Sequence, residues 1–469
     1  MTVHERLAAL GTAIPCPLLP RRGTDLSKWA VIACDQFTQD RRYWERAAAA
    51  VGDAPSALHC VFPEAFLGDP GREGRMEHIR RTMKKYLREE LFTPRRGCVY
   101  VERDTPYHRG RRGLLVCLDL ERYDWSAAAA PLVRPTEGTV PERLPLRMEL
   151  RRGAALELPH ILVLVDDEED SLLGTLGERA RPGEMLYDTA LEPGSGRVRG
   201  WLLDREADWE YLAGGLEKLA AASFSRYALP PGGTSSAKEA LSGEDPAAGD
   251  SGFSGAFLYA VGDGNHSLAA AKGVWEECKG TQSPSVLPAD SSGPRWAMVE
   301  LENLYDPALA FEPIHRFVYG AEETEKLFAA LPGFSLAKLD GTGAWPKLLS
   351  LVKEKTSRSR FGIIAPKDGD TAFFLVETDP VPLVVDYIQP LLDDFLKNRP
   401  ELSMDYIHGE EELFRLAQNS AGTGILLPPF NKRGLFRTVA ERGPLPRKSF
   451  SMGEASEKRF YLECRKLFG

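Results

Sequence analysis

The stretch AVGDGNHSLAAAK, Ala260 to Lys272, decides how this chain is read. The apolar run AFLYAV at Ala256–Val261 has the length and content of a buried strand. SLAAAKGVWEEC at Ser267–Cys278 has strong helix formers around one interior glycine. Between them lie Gly262, Asp263, Gly264, Asn265 and His266. The two glycines let the backbone turn tightly and approach a ligand closely. The start of the helix leaves N–H groups without intrahelical partners and adds partial positive charge, which suits a phosphate or another oxyanion. Asp263 can hold a metal ion or take a proton, and His266 can donate to a phosphoryl oxygen or act as acid or base. In the competing structural reading, Asn265 or Ser267 caps the helix and His266 packs against the loop. The run G-x-x-x-x-G-K-[ST] is absent, so this is no P-loop.

Working outward, buried strands are expected at Trp29–Cys34, Gly113–Leu118, His160–Val165 and Trp296–Leu301. Arg75–Leu91 repeats Met76, Ile79, Met83, Leu87 and Leu91 at helical spacing. Phe361–Pro366 and Thr371–Val376 flank Lys367–Asp370 as a hairpin, and Val381–Phe395 and Glu410–Gln418 read as mainly helical. Pro230–Gly255 and Gly280–Pro294 have the composition of flexible insertions. Strands and helices alternate, which predicts an α/β (α+β) chain with mixed sheets. Three regions are expected: 1–165, a core at 166–320 carrying the GDGNHS loop and the insertions, and 321–469.

The chain has 469 residues, 43% hydrophobic and 27% charged, as in ordinary globular proteins. No apolar run approaches the ~20 residues of a membrane span. The N-terminal stretch lacks a basic head followed by a long apolar segment, so no secretory signal is expected. Seven cysteines with no C-x-x-C argue against a disulfide framework or a zinc site and for a reducing, cytoplasmic compartment. Cys34, Cys98, Cys117 and Cys464 read as small buried hydrophobes. A net charge of −9 excludes a general basic field for nucleic acid and leaves room for a local anion pocket.

Other segments compete for the site. Arg134–Glu137 (RPTE) sets a guanidinium, the Thr136 hydroxyl and a carboxylate together. Arg134 can fork onto phosphate or carboxylate, and Glu137 can serve as a base, unless this is a solvated turn. His315 and Arg316 offer two phosphate donors, and Arg447 with Lys448 forms a cationic pair after a proline turn. Asp35 sits where the first expected strand ends. His160 reads as a core histidine. The motifs G-x-S-x-G, H-E-x-x-H and strand-following G-x-G-x-x-G are absent.

Gly262–Ser267 resembles the D-G-x-H-R box of the ParB/sulfiredoxin-like superfamily, which includes free-serine kinases and binds nucleotide phosphates at such a corner. Asp263, Gly264 and His266 match, while Ser267 replaces the arginine. The whole chain from Leu18 onward is similar to the bacterial and archaeal family called domain of unknown function 1015. That likeness rests on Lys28–Phe37, Arg134–Arg143, Leu150–Asp167, Val261–Ala269, Glu302–Arg316 and Gly443–Phe460. The resemblance implies a ParB/sulfiredoxin-like core with additional subdomains.

Together these readings predict a small-molecule phosphotransferase acting on a hydroxylated metabolite such as serine. A nucleotide or other phosphoanhydride with Mg²⁺ would be the donor. Gly262, Gly264, Asn265 and Ser267 would cradle the phosphates, with His266, His315, Arg316, Arg447 and Lys448 offsetting charge. Asp35 or Glu137 would take the hydroxyl proton, with Asp263 a further acid–base candidate, and Arg134 and Thr136 would orient the acceptor. The alternatives are a non-catalytic nucleotide- or metabolite-binding regulator and a ParB-like nucleic-acid binder, the latter disfavoured by the acidic charge. No membrane partner is expected.

Overall fold

A computed structural model describes residues 1–126, 130–227, 255–280, 291–320, 328, 333–367, 370–397 and 399–468. Of the insertions expected at Pro230–Gly255 and Gly280–Pro294, residues 230–254 and 281–290 lie outside the described residues, while Ser291 is buried and its hydroxyl donates to the Ile14 carbonyl at 2.9 Å. The chain divides into two units. The first comprises Met1–Leu309, Val439–Pro444 and Ala455–Gly469, and the second Ala310–Thr438 and Leu445–Glu454. Both mix helices with sheets, as the strand and helix alternation predicts. Among the described residues no helix is long and apolar enough to cross a membrane.

The first unit is built on a nine-stranded mixed sheet. Its order is Met185–Ala190, Arg197–Leu203, Cys98–Asp104, Arg111–Asp119, Trp296–Asn303, Leu162–Val165, Tyr259–Asp263 and Val133–Pro135, with Thr12–Ala13 beside Arg111–Asp119. Trp296–Asn303 runs parallel to Leu162–Val165, and Tyr259–Asp263 parallel to Val133–Pro135; the other pairs are antiparallel. Side chains alternate across the sheet. Leu114, Val116, Leu118, Val299 and Leu301 share one core with residues of the helices Leu173–Ala180, Glu206–Tyr227 and Asn265–Cys278. Leu115, Val99 and Val101 share another with Met76, Ile79 and Met83 of the helix Arg72–Arg88.

Local chemistry moves some expected boundaries. In place of a strand over Trp29–Cys34, a short helix Leu26–Trp29 forms, because the Asp25 carboxylate accepts the Ser27 N–H at 3.0 Å and caps it. Only Val31–Ile32 remains extended, paired with Phe460–Tyr461. The expected Arg75–Leu91 helix runs instead over Arg72–Arg88. The interior glycine of the Asn265–Cys278 helix also has its reason: a Cβ on Gly273 would lie 2.8 Å from Met148 Sδ. The helix Leu144–Arg151 therefore packs close against it, and this same helix carries Arg147.

The strand Trp296–Asn303 holds Glu300 and Glu302 on the face opposite Val299 and Leu301, both almost fully buried. Arg459 pairs with Glu300 and, at 2.6 Å, with Glu463; Arg111 Nε lies 3.0 Å from Glu302. Burial raises the Glu302 carboxyl to about 8, and the pull of Arg111 does not offset burial together with Glu300 and Asp306. Cys98, Cys117 and Cys464 are buried as expected, whereas Cys34 is only half-buried.

The second unit is a seven-stranded antiparallel sheet. Its order is Ser335–Leu339, Asp370–Thr378, Ser359–Lys367, Gly422–Leu426, Phe311–Tyr319 and Ser403–His408, with Phe450–Met452 beside Phe311–Tyr319. Ser359–Lys367 and Asp370–Thr378 form the expected hairpin. Ile363 packs toward the helix Val384–Lys397, and Ile364 toward Ala344–Lys353 and Glu410–Asn419.

Candidate functional site

The strand Tyr259–Asp263 continues two residues past Val261, with an irregular register before Asp263. Gly264 then takes a left-handed conformation, φ 79°, and the helix starts at Asn265. A side chain at Gly264 would be strained, and its Cβ would meet Ile161 Cγ1 at 3.0 Å. The N-cap position is Gly264, which has no side chain of its own to cap the helix. Neither Asn265 nor Ser267 is therefore the cap, and the N–H groups of the first turn carry the partial positive charge of a helix start.

The side chains of the corner are held from different directions. Asp263 accepts the Gly264 N–H at 2.9 Å and pairs with Lys458 at 3.0 Å, a lysine with only 7% of its side chain exposed. His266 Nε2 accepts the Val140 N–H at 3.1 Å. The Ser267 hydroxyl lies 2.9 Å from His160 Nε2, and His160 Nδ1 lies 3.3 Å from the Tyr461 hydroxyl. That hydroxyl in turn accepts the Cys34 N–H at 3.1 Å. Asn265 is buried.

Ser267, His160, Tyr461 and Cys34 line one cavity of about 160 Å³, together with Glu64 and Arg147. Glu64 is held against Cys34 by its own N–H, which donates to the Cys34 carbonyl at 2.8 Å. Arg147 pairs with Glu64. Burial raises the Glu64 carboxyl, Arg147 pulls it back, and the nearby Asp35 charge raises it again. Burial, with Asp35 and Glu64 nearby, pushes the Cys34 thiol up to about 12, so it stays protonated. The corner and the cavity thus meet at Ser267. A raised carboxyl, a guanidinium, an imidazole and a hydroxyl converge there.

Other expected residues are used differently. Thr136 is fully buried, and its hydroxyl donates to the Val261 carbonyl at 2.6 Å. Arg134 donates to the carbonyls of Pro131 (3.1 Å) and Gly255 (3.4 Å), and its guanidinium lies 4.5 Å from the Phe257 ring centre. These two hold the edge of the sheet together. Glu137 is half-buried just beyond Val133–Pro135, and Asp35 accepts from Gln36 at 3.0 Å. His315, Arg316, Arg447 and Lys448 belong to the second unit. His315 is buried, accepts the Leu427 N–H at 3.1 Å, and is lowered to about 3 by burial, so it carries no charge for a phosphate. Arg316 is fully buried and bonds Gln389 at 2.8 Å and the Lys448 carbonyl at 2.9 Å. Arg447 donates to the Tyr406 hydroxyl at 2.9 Å, and Lys448 is exposed in a turn at φ 57°.

Sequence reasoning therefore missed Glu64, Arg147, Lys458 and Tyr461 and read His160 as core. Lys458 lies in the same C-terminal stretch where a cation was expected, farther along than Lys448. Among the described residues no group of three His, Cys, Asp or Glu side chains is arranged to hold a metal ion, so no step is assigned to Mg²⁺.

Comparison with solved structures finds a conserved hypothetical protein from Pyrococcus furiosus, at TM-score 0.32 and 12% identity, covering 74% of this chain and 90% of that one. A free serine kinase in complex with AMP gives TM-score 0.34 at 11% identity, covering 74% and 87%. SbnI with a C-terminal truncation, from Staphylococcus aureus, gives 0.35 at 10% identity, covering 75% and 87%. No curated protein matches the chain. A family model does match, over residues 18–394, and the chain belongs to that family, described as protein of unknown function DUF1015.

Proposed function

We propose that the first unit is a small-molecule phosphotransferase whose donor phosphates meet the Gly262–Ser267 corner and whose hydroxylated acceptor enters the adjoining cavity. One observation carries this reading: Ser267, in the first turn of the helix that follows Gly264, also lines the cavity that holds Glu64 and Arg147. Phosphoryl transfer needs positioning and charge neutralisation more than covalent help from the protein. The helix start and Lys458 supply positive potential on the donor side. On the acceptor side, a carboxylate raised by burial makes a better base than an exposed one. The acceptor oxygen forms its bond to phosphorus as the bond to the leaving phosphate breaks, and the hydroxyl proton passes to Glu64. Asp35, a like charge near Glu64, helps hold the Glu64 carboxyl up. A nucleotide is the natural donor for such a corner.

The test is direct. Purified full-length protein is incubated with ATP, ADP or pyrophosphate and a panel of hydroxylated metabolites, and phosphorylated product is followed by mass spectrometry. Transfer from at least one donor is expected. No product and no bound donor in any combination would remove the proposal. A second reading is a non-catalytic regulator, favoured by one feature: Asp263 and His266 are both tied to protein groups. Saturable nucleotide binding with no product after long incubation is its signature.

A further inference from the structure

The cavity has a second character that a phosphate donor does not explain. Beyond Ser267, His160, Tyr461, Glu64, Arg147 and the Arg151–Glu157 pair, its walls are mostly apolar, formed by Val61, Phe62, Ile79, Met83, Leu150 and Leu158 among others. Its remaining charged residues pair with one another: Arg151 meets Glu157 at 2.6 Å, with the Arg151 Nε–H left without a hydrogen bond among the described residues, and Arg465, behind the wall, meets the other Glu157 oxygen at 2.7 Å. The Cys34 thiol is held protonated and adds no charge.

A molecule such as serine fits these walls poorly. Its ammonium and carboxylate groups would shed water against Ile79, Met83 and Leu158 with no partner on that side. Apolar walls around a few convergent polar groups are the anatomy of a site for an amphipathic small molecule. The volume sets the scale. The cavity is about 160 Å³, and a dry apolar cavity of about 150 Å³ accepts one benzene ring.

Resting on the phosphotransferase reading, we infer that the acceptor carries its hydroxyl on an apolar body the size of one aromatic ring or a short branched chain, and that serine is not the preferred substrate. The apolar body lies against Val61, Phe62, Ile79 and Met83. The hydroxyl lies at the polar end, between Glu64 and Ser267.

The experiment measures binding and turnover separately on the full-length protein. The probes are the primary alcohols from propanol to octanol, benzyl alcohol and L-serine, with binding read by ligand-observed NMR and transfer from ATP by mass spectrometry. Affinity is expected to rise about fourfold with each added methylene until the cavity is full, then to level off. Benzyl alcohol should compete with the best of the series, and L-serine should not. Ala270→Leu, which places a larger side chain on the cavity wall, should weaken benzyl alcohol by about tenfold or more. Val61→Thr keeps the wall's shape, makes it polar, and should weaken benzyl alcohol several-fold.

Binding of the alcohols with no phosphate transfer from, and no binding of, ATP, ADP or pyrophosphate upholds the inference about the cavity and removes the phosphotransferase reading. Phosphorylation of serine with no binding of the apolar alcohols leaves that reading standing and overturns the inference. A flat response along the series, or benzyl alcohol binding unaltered by both substitutions, also overturns it.

Discussion

Ala270→Leu separates a ligand cavity from a packing defect, because the two make opposite demands on one substitution. Ala270 is 2% exposed and lies one turn beyond Ser267 on the Asn265–Cys278 helix, facing the cavity of about 160 Å³. Leucine and alanine are both good helix formers, so the backbone is little affected. The change adds three carbons to a space that already exists. At about 0.8 kcal/mol for each buried methylene, the gain has an upper bound of about 2.4 kcal/mol. Imperfect fit gives back about 1 kcal/mol or more, since overpacking typically costs 1–3 kcal/mol. The net expectation is roughly 1 kcal/mol of added stability, or a Tm higher by about 1–2 °C for a unit larger than 300 residues. Benzyl alcohol binding should fall about tenfold in the same variant, while ATP affinity changes less than twofold. Thermal unfolding of the full chain and competition binding measure the two halves. A Tm lowered by several degrees would show that no space is available at Ala270. A raised Tm with unchanged benzyl alcohol affinity would show that the space is a void and that the acceptor binds elsewhere.

Three further outcomes are expected. Lys458→Met removes the buried cation paired with Asp263 and should weaken ATP binding about tenfold by calorimetry, with Lys458→Arg retaining part of the affinity; equal affinity in all three proteins would take Lys458 out of the donor site. Thr136→Val breaks the 2.6 Å bond to the Val261 carbonyl and should cost about 1–2 kcal/mol of stability, with KM for the acceptor unchanged at a temperature where both proteins are folded. Glu302 holds its proton up to about pH 8 in the folded protein and releases it near its ordinary value when unfolded, so stability falls as pH rises from about 4.5 to 8. Glu302→Gln should flatten that part of the Tm–pH profile, and parallel profiles would refute it.

What the sequence made legible was local. The GDGNHS corner could be read because two glycines, an apolar run before them and helix formers after them all act within a few residues. The hairpin around Lys367–Asp370 and the helix containing Met76, Ile79 and Met83 are legible for the same reason. Trp29–Cys34 misled because a three-residue cap signal, Asp25 to Ser27, outcompeted an apolar run too short to hold a strand. The other half of the site was illegible, because its members are brought together by pairings that leave no pattern along the chain. Glu64 reaches the cavity through a backbone bond to Cys34, and Tyr461 through the pairing of Phe460–Tyr461 with Val31–Ile32. Arg147 arrives on a helix whose partner must carry Gly273, so the one interior glycine of that partner helix is the visible trace of the approach.

Charge was the most misleading cue. His315, Arg316, Arg134 and Thr136 all look in sequence like hands waiting for an anion, and each is buried or half-buried and bonded to protein carbonyls, amides or side chains, with only the Nε2 of His315 left over among the described residues. A polar group that leaves water must find a partner, and most find it in the nearest backbone. His160 went the other way. Set among apolar residues, it looked satisfied by packing, but one of its nitrogens meets Ser267 and the other Tyr461 at the cavity wall. The useful distinction is whether a group's partners leave it beside an open cavity. By that measure Glu64, Arg147, His160 and Ser267 belong together, and the chemistry of this protein is best sought between them.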